Sequence, residues 1–233
     1  MSDKETKPQV FISFFRFRKN KFWAFKQMLL GPVALSKQSN LTFFKFLGTG
    51  GGAGFSLRPD FGTYAILTVW RSPIAFDRFQ KENTYWQSYL SKASKVRTLG
   101  LIPVHSHGLW SGVNPFEPFQ VPTYPITEER VAVLTRATLH WNRLISFWRA
   151  VPKAAKTIET AKGVLFYKGV GEWPWIQQAT VSIWESFQAV NQFAYQHKGH
   201  AEIVRKTRQQ KWYKEDLFSR FVVYSDTEFQ ELN

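Results

Sequence analysis

The chain has 233 residues, 44% of them hydrophobic and 21% charged, a balance that excludes intrinsic disorder for most of its length. Lys plus Arg total 31 against 17 for Asp plus Glu, a formal charge of +14, and aromatics reach 17% with 22 Phe and 10 Trp. With no cysteine there is no disulfide, no thiolate-held metal and no catalytic thiol. The polar opening MSDKETKPQ does not read as a signal peptide, and no run approaches the ~18 apolar residues of a spanning helix, so the expectation is a soluble, cytoplasmic protein.

In chain order, VFISFFRF (10–17) predicts a strand, rich in β-branched and aromatic residues. NKFWAFKQMLL (20–30) predicts a helix, FFKFLGTG (43–50) and YAILTVW (64–70) two strands, SPIAFDRFQKENTYWQSYLSKA (72–93) one helical stretch, and LGLIPVHSH (99–107) a closing strand. The connector VNPFEPFQVPTYPITEE (113–129) holds four prolines. Beyond it the order recurs: VAVLTRATL (131–139) as strand, WNRLISFWRAV (141–151) as helix, VLFYKGVG (164–171) and ATVSIW (179–184) as strands. SFQAVNQFAYQHKGHAEIVRKTRQ (186–209) is again helical and LFSRFVVY (217–224) again a strand.

The recurrence has a register. TYAILTVWRSPIAFDRF matches QATVSIWESFQAVNQF at an offset of 114, pairing Trp70 with Trp184 and Phe79 with Phe193. FFKFLGTG matches VLFYKGVG at an offset of 121, pairing Gly48 with Gly169 and Gly50 with Gly171. The expected fold is α+β: two tandem ferredoxin-like (β-α-β-β-α-β) repeats, residues 1–122 and 123–233, within one chain. Their sheets are expected face to face, helices outside, with the aromatic surplus between the sheets.

Candidate chemistry centres on five histidines. His105 and His107 lie two apart on a strand, a spacing open to a metal, but with no carboxylate close in sequence they read as surface or hydrogen-bonded groups. His140, beside Trp141, reads as a helix-entry polar group. His200 leads a stripe with Ile203, Val204 and Thr207 at helical spacing, and the repeat pairs it with Trp86. Two readings of it stand, a hydrogen-bonded core histidine and a cofactor ligand, with His197 one turn earlier as competitor. GTGGGAGF (48–55) lacks the Lys-Ser/Thr of a phosphate loop and reads as an unusual turn. The basic charge suits solubility, an acidic protein or an anionic lipid surface; no nucleic-acid motif accompanies it.

Several segments carry a family resemblance: SFFRF (13–17), WAFKQM (23–28), FFKFLGTGGGAGF (43–55), HGLWSGVNPF (107–116) and the tail FAYQHKGHAEIVRKTRQQKWYKEDLFSRF (193–221). In these the chain resembles the spheroidene monooxygenase family of haem-containing carotenoid oxygenases, in the dimeric α/β-barrel superfamily. The resemblance implies a barrel core of that type formed within one chain. It also implies a b-type haem reduced by an external donor such as an acidic ferredoxin, and oxidation of an allylic carbon of an apolar, carotenoid-like substrate to a ketone. On it, His200 is the axial ligand of the haem iron and Arg205 and Arg208 are partners for its propionates, with Tyr195 or Tyr213 next in line as ligands. Gln27 and Ser111 are polar groups near the aromatic segments, and peripheral contact at the inner membrane face would bring the protein to its substrate. Aldoxime dehydratases share the superfamily, so an oxime-dehydrating haem enzyme stays open, as does a non-catalytic binder of haem or apolar ligands.

Overall fold

Strand β1 (Val10–Arg16) sets the pattern for the sheet. Val10, Ile12 and Phe14 point one way, Phe11, Ser13 and Phe15 the other, and both rows are buried. A strand covered on both faces needs no polar side, which is why VFISFFR is almost wholly apolar. The computed structural model describes residues 9–52, 58–119, 129–196 and 210–232. After β1 come α1 (Lys21–Leu35), β2 (Leu41–Gly50), β3 (Pro59–Trp70), α2 (Pro73–Glu82), α3 (Thr84–Lys92) and β4 (Lys95–Gly108). Then follow β5 (Val131–Leu139), α4 (Leu144–Glu159), β6 (Val164–Gly171), β7 (Gln177–Trp184), α5 (Phe187–Gln196), β8 (Tyr213–Asp226) and the short β9 (Gln230–Glu231).

The fold is α+β. The strand order β1-β3-β2-β6-β7-β5-β8-β4 closes through β4–β1 pairing into an eight-stranded antiparallel barrel, with β9 attached to β4. Closure leaves no long unpaired edge. Among β1–β4 the order in space is β4-β1-β3-β2, and among β5–β8 it is β8-β5-β7-β6. The two sets meet edge to edge, by β4–β8 on one side and by the short β2–β6 seam, Gly48↔Gly171 and Thr49↔Val170, on the other.

That arrangement corrects the expected face-to-face sheets with aromatics between them. The barrel interior is mainly aliphatic, with Ile12, Leu67, Leu101, Leu134, Val181 and Ile183 at its centre. Most of the buried rings sit outside the barrel, beneath α1–α3: Phe15, Trp70, Phe76, Phe79, Trp86 and Tyr89 pack together there. Strand parity is the reason, since Phe11 and Phe15 lie on the outward rows of β1. Trp86 meets Phe15 edge-on at 5.2 Å and Phe79 at 5.3 Å, and Phe11 stacks on Phe76.

Local sequence explains the helix ends. Pro73 opens α2, where a missing N–H costs nothing. The expected single helix over 72–93 breaks at Asn83, whose extended backbone ends α2 and whose side chain accepts from the Trp86 N–H at 2.9 Å to cap α3. Gly31 lets α1 press onto the sheet, because a Cβ there would overlap the Phe46 ring. Among the described residues, no helix is long and apolar enough to cross a membrane.

Candidate functional site

The two sets of strands present corresponding outer faces that are filled differently. Phe15 pairs with Tyr64 as Ala137 pairs with Gln178; Ser13 pairs with Ile66 as Thr135 pairs with Thr180; and Phe11 lies opposite Gly100 as Val133, through β8, relates to Arg220. Where the first face holds the rings of Phe15 and Tyr64 and the side chain of Ile66, the second holds a methyl, an amide and a hydroxyl. Each aromatic ring carries roughly 150–250 Å² of buried surface, so the second face is shallower by the bulk of two rings. It also gains a cation. Arg220 lies with its guanidinium 4.8 Å from the Phe187 ring and 5.2 Å from that of Phe218, its Nε buried and, among the described residues, without a hydrogen-bond partner. Thr180 Oγ1 is likewise buried and, among the described residues, unpartnered.

Beside Arg220, His105 and His107 stand on β4 with ring nitrogens 3.4 Å apart, and His107 stacks on Phe218. Burial pushes the His105 imidazolium pKa down, helped by His107 and Arg220. The Arg220 guanidinium beside the pair repels a cation, and among the described residues no three His, Asp or Glu side chains group to hold a metal.

One end of the barrel is closed by a charge cluster that the sequence did not announce. Lys45 of β2 and Arg136 of β5 point inward at positions whose row-mates are Leu47 and Leu134. Lys45 Nζ is 2.7 Å from Glu172, which accepts the Trp110 indole N–H at 2.6 Å. Arg136, 2% exposed at its side chain, pairs with Glu215 and lies 3.9 Å from Glu172. Glu215 also accepts the backbone N–H groups of Ser111 and Gly112. Burial alone would raise the Glu215 carboxyl; the two amides and Arg136 outweigh it and hold it below its ordinary range. The turn Trp110–Val113 thus lids the barrel, and Gly108 starts it at φ +88°, where a side chain would strike the Asp216 carbonyl. Two cations offset two carboxylates here, which reads as a structural closure.

His200, Arg205, Arg208 and His197 lie outside the described residues. Tyr195 is in the last turn of α5. Tyr213 packs with Leu139, Phe147 and Trp212. Gln27 is buried and bonded to the Trp23 carbonyl and the Tyr85 hydroxyl, far from the second face in the fold. Ser111 accepts from Lys45 in the lid turn. His140 is exposed before a 3₁₀ turn, as read. Sequence reasoning missed Ala137, Thr180 and Arg220 as a set; their signal was Ala137 at the position matching Phe15, Thr180 at that matching Ile66 and Arg220 at that matching Gly100.

Comparison with known proteins settles the family. No protein-family model matches the chain. Spheroidene monooxygenase of Rhodobacter capsulatus is 32% identical over 216 residues, 92% of this chain and 89% of that protein. The chain belongs to the spheroidene monooxygenase family. Spheroidene monooxygenase of Cereibacter sphaeroides is 33% identical over 92% of this chain and 66% of its own length. Family membership makes the chain an enzyme, an oxidoreductase of monooxygenase type. A crystal structure of aldoxime dehydratase matches 96% of this chain and 83% of its own at a TM-score of 0.57 and 11% identity, a likeness of fold alone.

Proposed function

We propose that this chain is a haem-dependent monooxygenase that oxidises an apolar, carotenoid-like substrate at an allylic carbon, with electrons from an external acidic donor of the ferredoxin type. Its relatives' name supplies the substrate class. The observation that carries the cofactor is the outer face of β5, β7 and β8, trimmed of two rings relative to its counterpart. Such a face fits a flat macrocycle with anionic edges: Ala137 and Thr180 are small where the first face has larger side chains, Phe187 and Phe218 offer apolar walls, and Arg220 offers a guanidinium N–H unpartnered among the described residues. When bound and reduced, haem b supplies dioxygen activation.

The chain's own part is to hold, orient and keep dry. In this reading the halves, residues 1–122 and 123–233, are two copies of one ferredoxin-like unit, and the second copy binds the cofactor. The repeat pairs His200 with Trp86, and Trp86 packs on Phe15, the counterpart of Ala137. An imidazole paired in sequence with a core indole, next to a position reduced to a methyl, supports His200 as the axial ligand. With no cysteine in the chain, a thiolate ligand is excluded. Arg205 and Arg208 would join Arg220 in neutralising the propionates. We place the enzyme in the cytoplasm, against the inner membrane face where a carotenoid dissolves.

The test is spectroscopic and then chemical. Purified protein titrated with haem develops a Soret band, which His200→Ala removes or strongly shifts and His197→Ala does not. The holoenzyme with reduced ferredoxin and labelled dioxygen places label in a carotenoid ketone. An oxime-dehydrating activity indifferent to dioxygen, or no Soret band at all, contradicts the proposal.

A further inference from the structure

Helix α1 is apolar on both of its sides. Ala24, Gln27, Gly31 and Leu35 face the sheet and are buried. On the opposite side Phe22, Phe25, Leu29 and Val33, at intervals of three and four, form a second stripe in which exposure runs from 50% to 79%. Leu30 flanks this stripe, and the Phe25 ring meets that of exposed Phe61 at 6.1 Å, so the patch continues onto β3. A helix apolar all round is normally buried on all sides, and a contiguous exposed apolar ridge marks a contact surface.

The charges around it identify the occupant. Every charged residue from Lys7 to Arg58 is basic. Lys19, Lys21, Lys26 and Lys37 are exposed on or beside α1, and Lys26 Nζ lies 4.7 Å over the Phe22 ring. A second copy of the chain brought against this face would set lysines against lysines. A plane of acyl chains bordered by phosphates answers both features, because lysine stems extend along apolar surface while their heads stay in the headgroup layer.

We propose that the α1 face docks on an anionic bilayer, Phe22, Phe25, Leu29 and Val33 entering the acyl boundary and Lys19, Lys21, Lys26 and Lys37 engaging headgroup phosphates. Docking deepens the oxygenase reading by bringing the enzyme to a membrane-dissolved substrate, yet its test needs neither haem nor carotenoid. Purified protein is floated with phosphatidylcholine vesicles containing about one-third phosphatidylglycerol, and with vesicles of phosphatidylcholine alone. The protein floats with the anionic vesicles and is released by salt, since exposed charges are screened within ~10 Å at 0.1 M. Lys19→Gln, Lys21→Gln and Lys26→Gln together lower the partition by on the order of a hundredfold, at roughly 1 kcal/mol per lysine. Phe22→Ser, Leu29→Ser and Val33→Ser together lower it at least as far while thermal stability holds, because these side chains are exposed in the folded protein.

The proposal falls if wild-type protein does not float, or if both variants float like wild type. It falls equally if the serine variant abolishes a concentration-dependent dimer instead of vesicle binding, or if vesicles are released only by Trp141→Ser with Trp173→Ser, at two other exposed aromatics remote from α1 in the chain. Failure of flotation leaves the oxygenase chemistry standing, and failure of turnover with detergent-dispersed carotenoid leaves the docking standing.

Discussion

The two outer faces of the barrel share a strand order and differ in what they carry. The first is packed by Phe15, Tyr64, Trp86 and Tyr89 beneath α1–α3, ring against ring. At matching ladder positions the second has Ala137 and Gln178, with Thr180 in place of Ile66 and Arg220 in place of a glycine. One face therefore fills these positions with packed rings, and the other carries smaller side chains and a guanidinium there, the positions that the proposed function assigns to a bound group. The difference teaches that two sets of strands with the same order can carry different side-chain bulk on their outer faces while the barrel they share stays intact.

Breaking the filled face should cost most. Trp86→Ala removes a ring 1% exposed and in edge contact with Phe15, Phe76 and Phe79. It should destabilise by roughly 3–5 kcal/mol. Calorimetry should record a fall in Tm on the order of 10 °C. The barrel common to both faces has a similar weak point: Arg136→Ala leaves Glu215 without its buried cation, while Lys45 still pairs with Glu172, at roughly 3–5 kcal/mol in denaturant titration. Filling the second face should act on binding instead. Thr180→Ile removes a buried hydroxyl that is unpartnered among the described residues and installs the first face's residue, so the cofactor-free protein should gain about 1 kcal/mol while haem affinity falls.

The smallest effect is a shared acid limb. Asp226 is buried, which alone would raise its carboxyl, but Arg97, the Glu228 N–H and Arg130 hold it below the usual range, as the lid amides and Arg136 do for Glu215. Both carboxyls are depressed in the folded state, so their stabilisation is complete above the unfolded carboxylate range and is lost as pH falls through the folded values. Tm measured against pH should be level near neutrality and decline below about pH 4. Variants of either face should show the same decline, while Glu215→Gln and Asp226→Asn should flatten it.

Much of this architecture was legible in the sequence. The strands show as β-branched and aromatic runs, and the offset of 114 aligns Trp70 with Trp184, which the ladders reproduce, Trp70 opposite Leu41 and Trp184 opposite Val164. The offset of 121 puts Gly48 with Gly169, whereas the ladders match Lys45 with Lys168 and Leu47 with Val170, two residues further on and on the same strand face. What escaped was assembly. Which row of VFISFFR faces the helices depends on barrel closure, so the aromatic surplus was expected inside and lies mostly outside. The lid cluster joins Lys45, Arg136, Glu172 and Glu215, residues far apart in the chain and brought together only when β2, β5 and β8 close the barrel; its one local trace was a charged residue on an otherwise apolar row. The break at Asn83 has a local trace, a cap-forming residue before Trp86, but the apolar spacing runs through it, so spacing alone joins α2 and α3.

The central claim is that the face of β5, β7 and β8 is the cofactor site, and haem titration of Ala137→Phe, followed in the Soret region, tests it most directly. The substitution installs the ring that the first face carries at Phe15. The account predicts a variant that folds with wild-type cooperativity and loses haem affinity by on the order of a hundredfold or more, near 3 kcal/mol. A folded Ala137→Phe protein that takes up haem as tightly as wild type, with an unchanged Soret band, would contradict it.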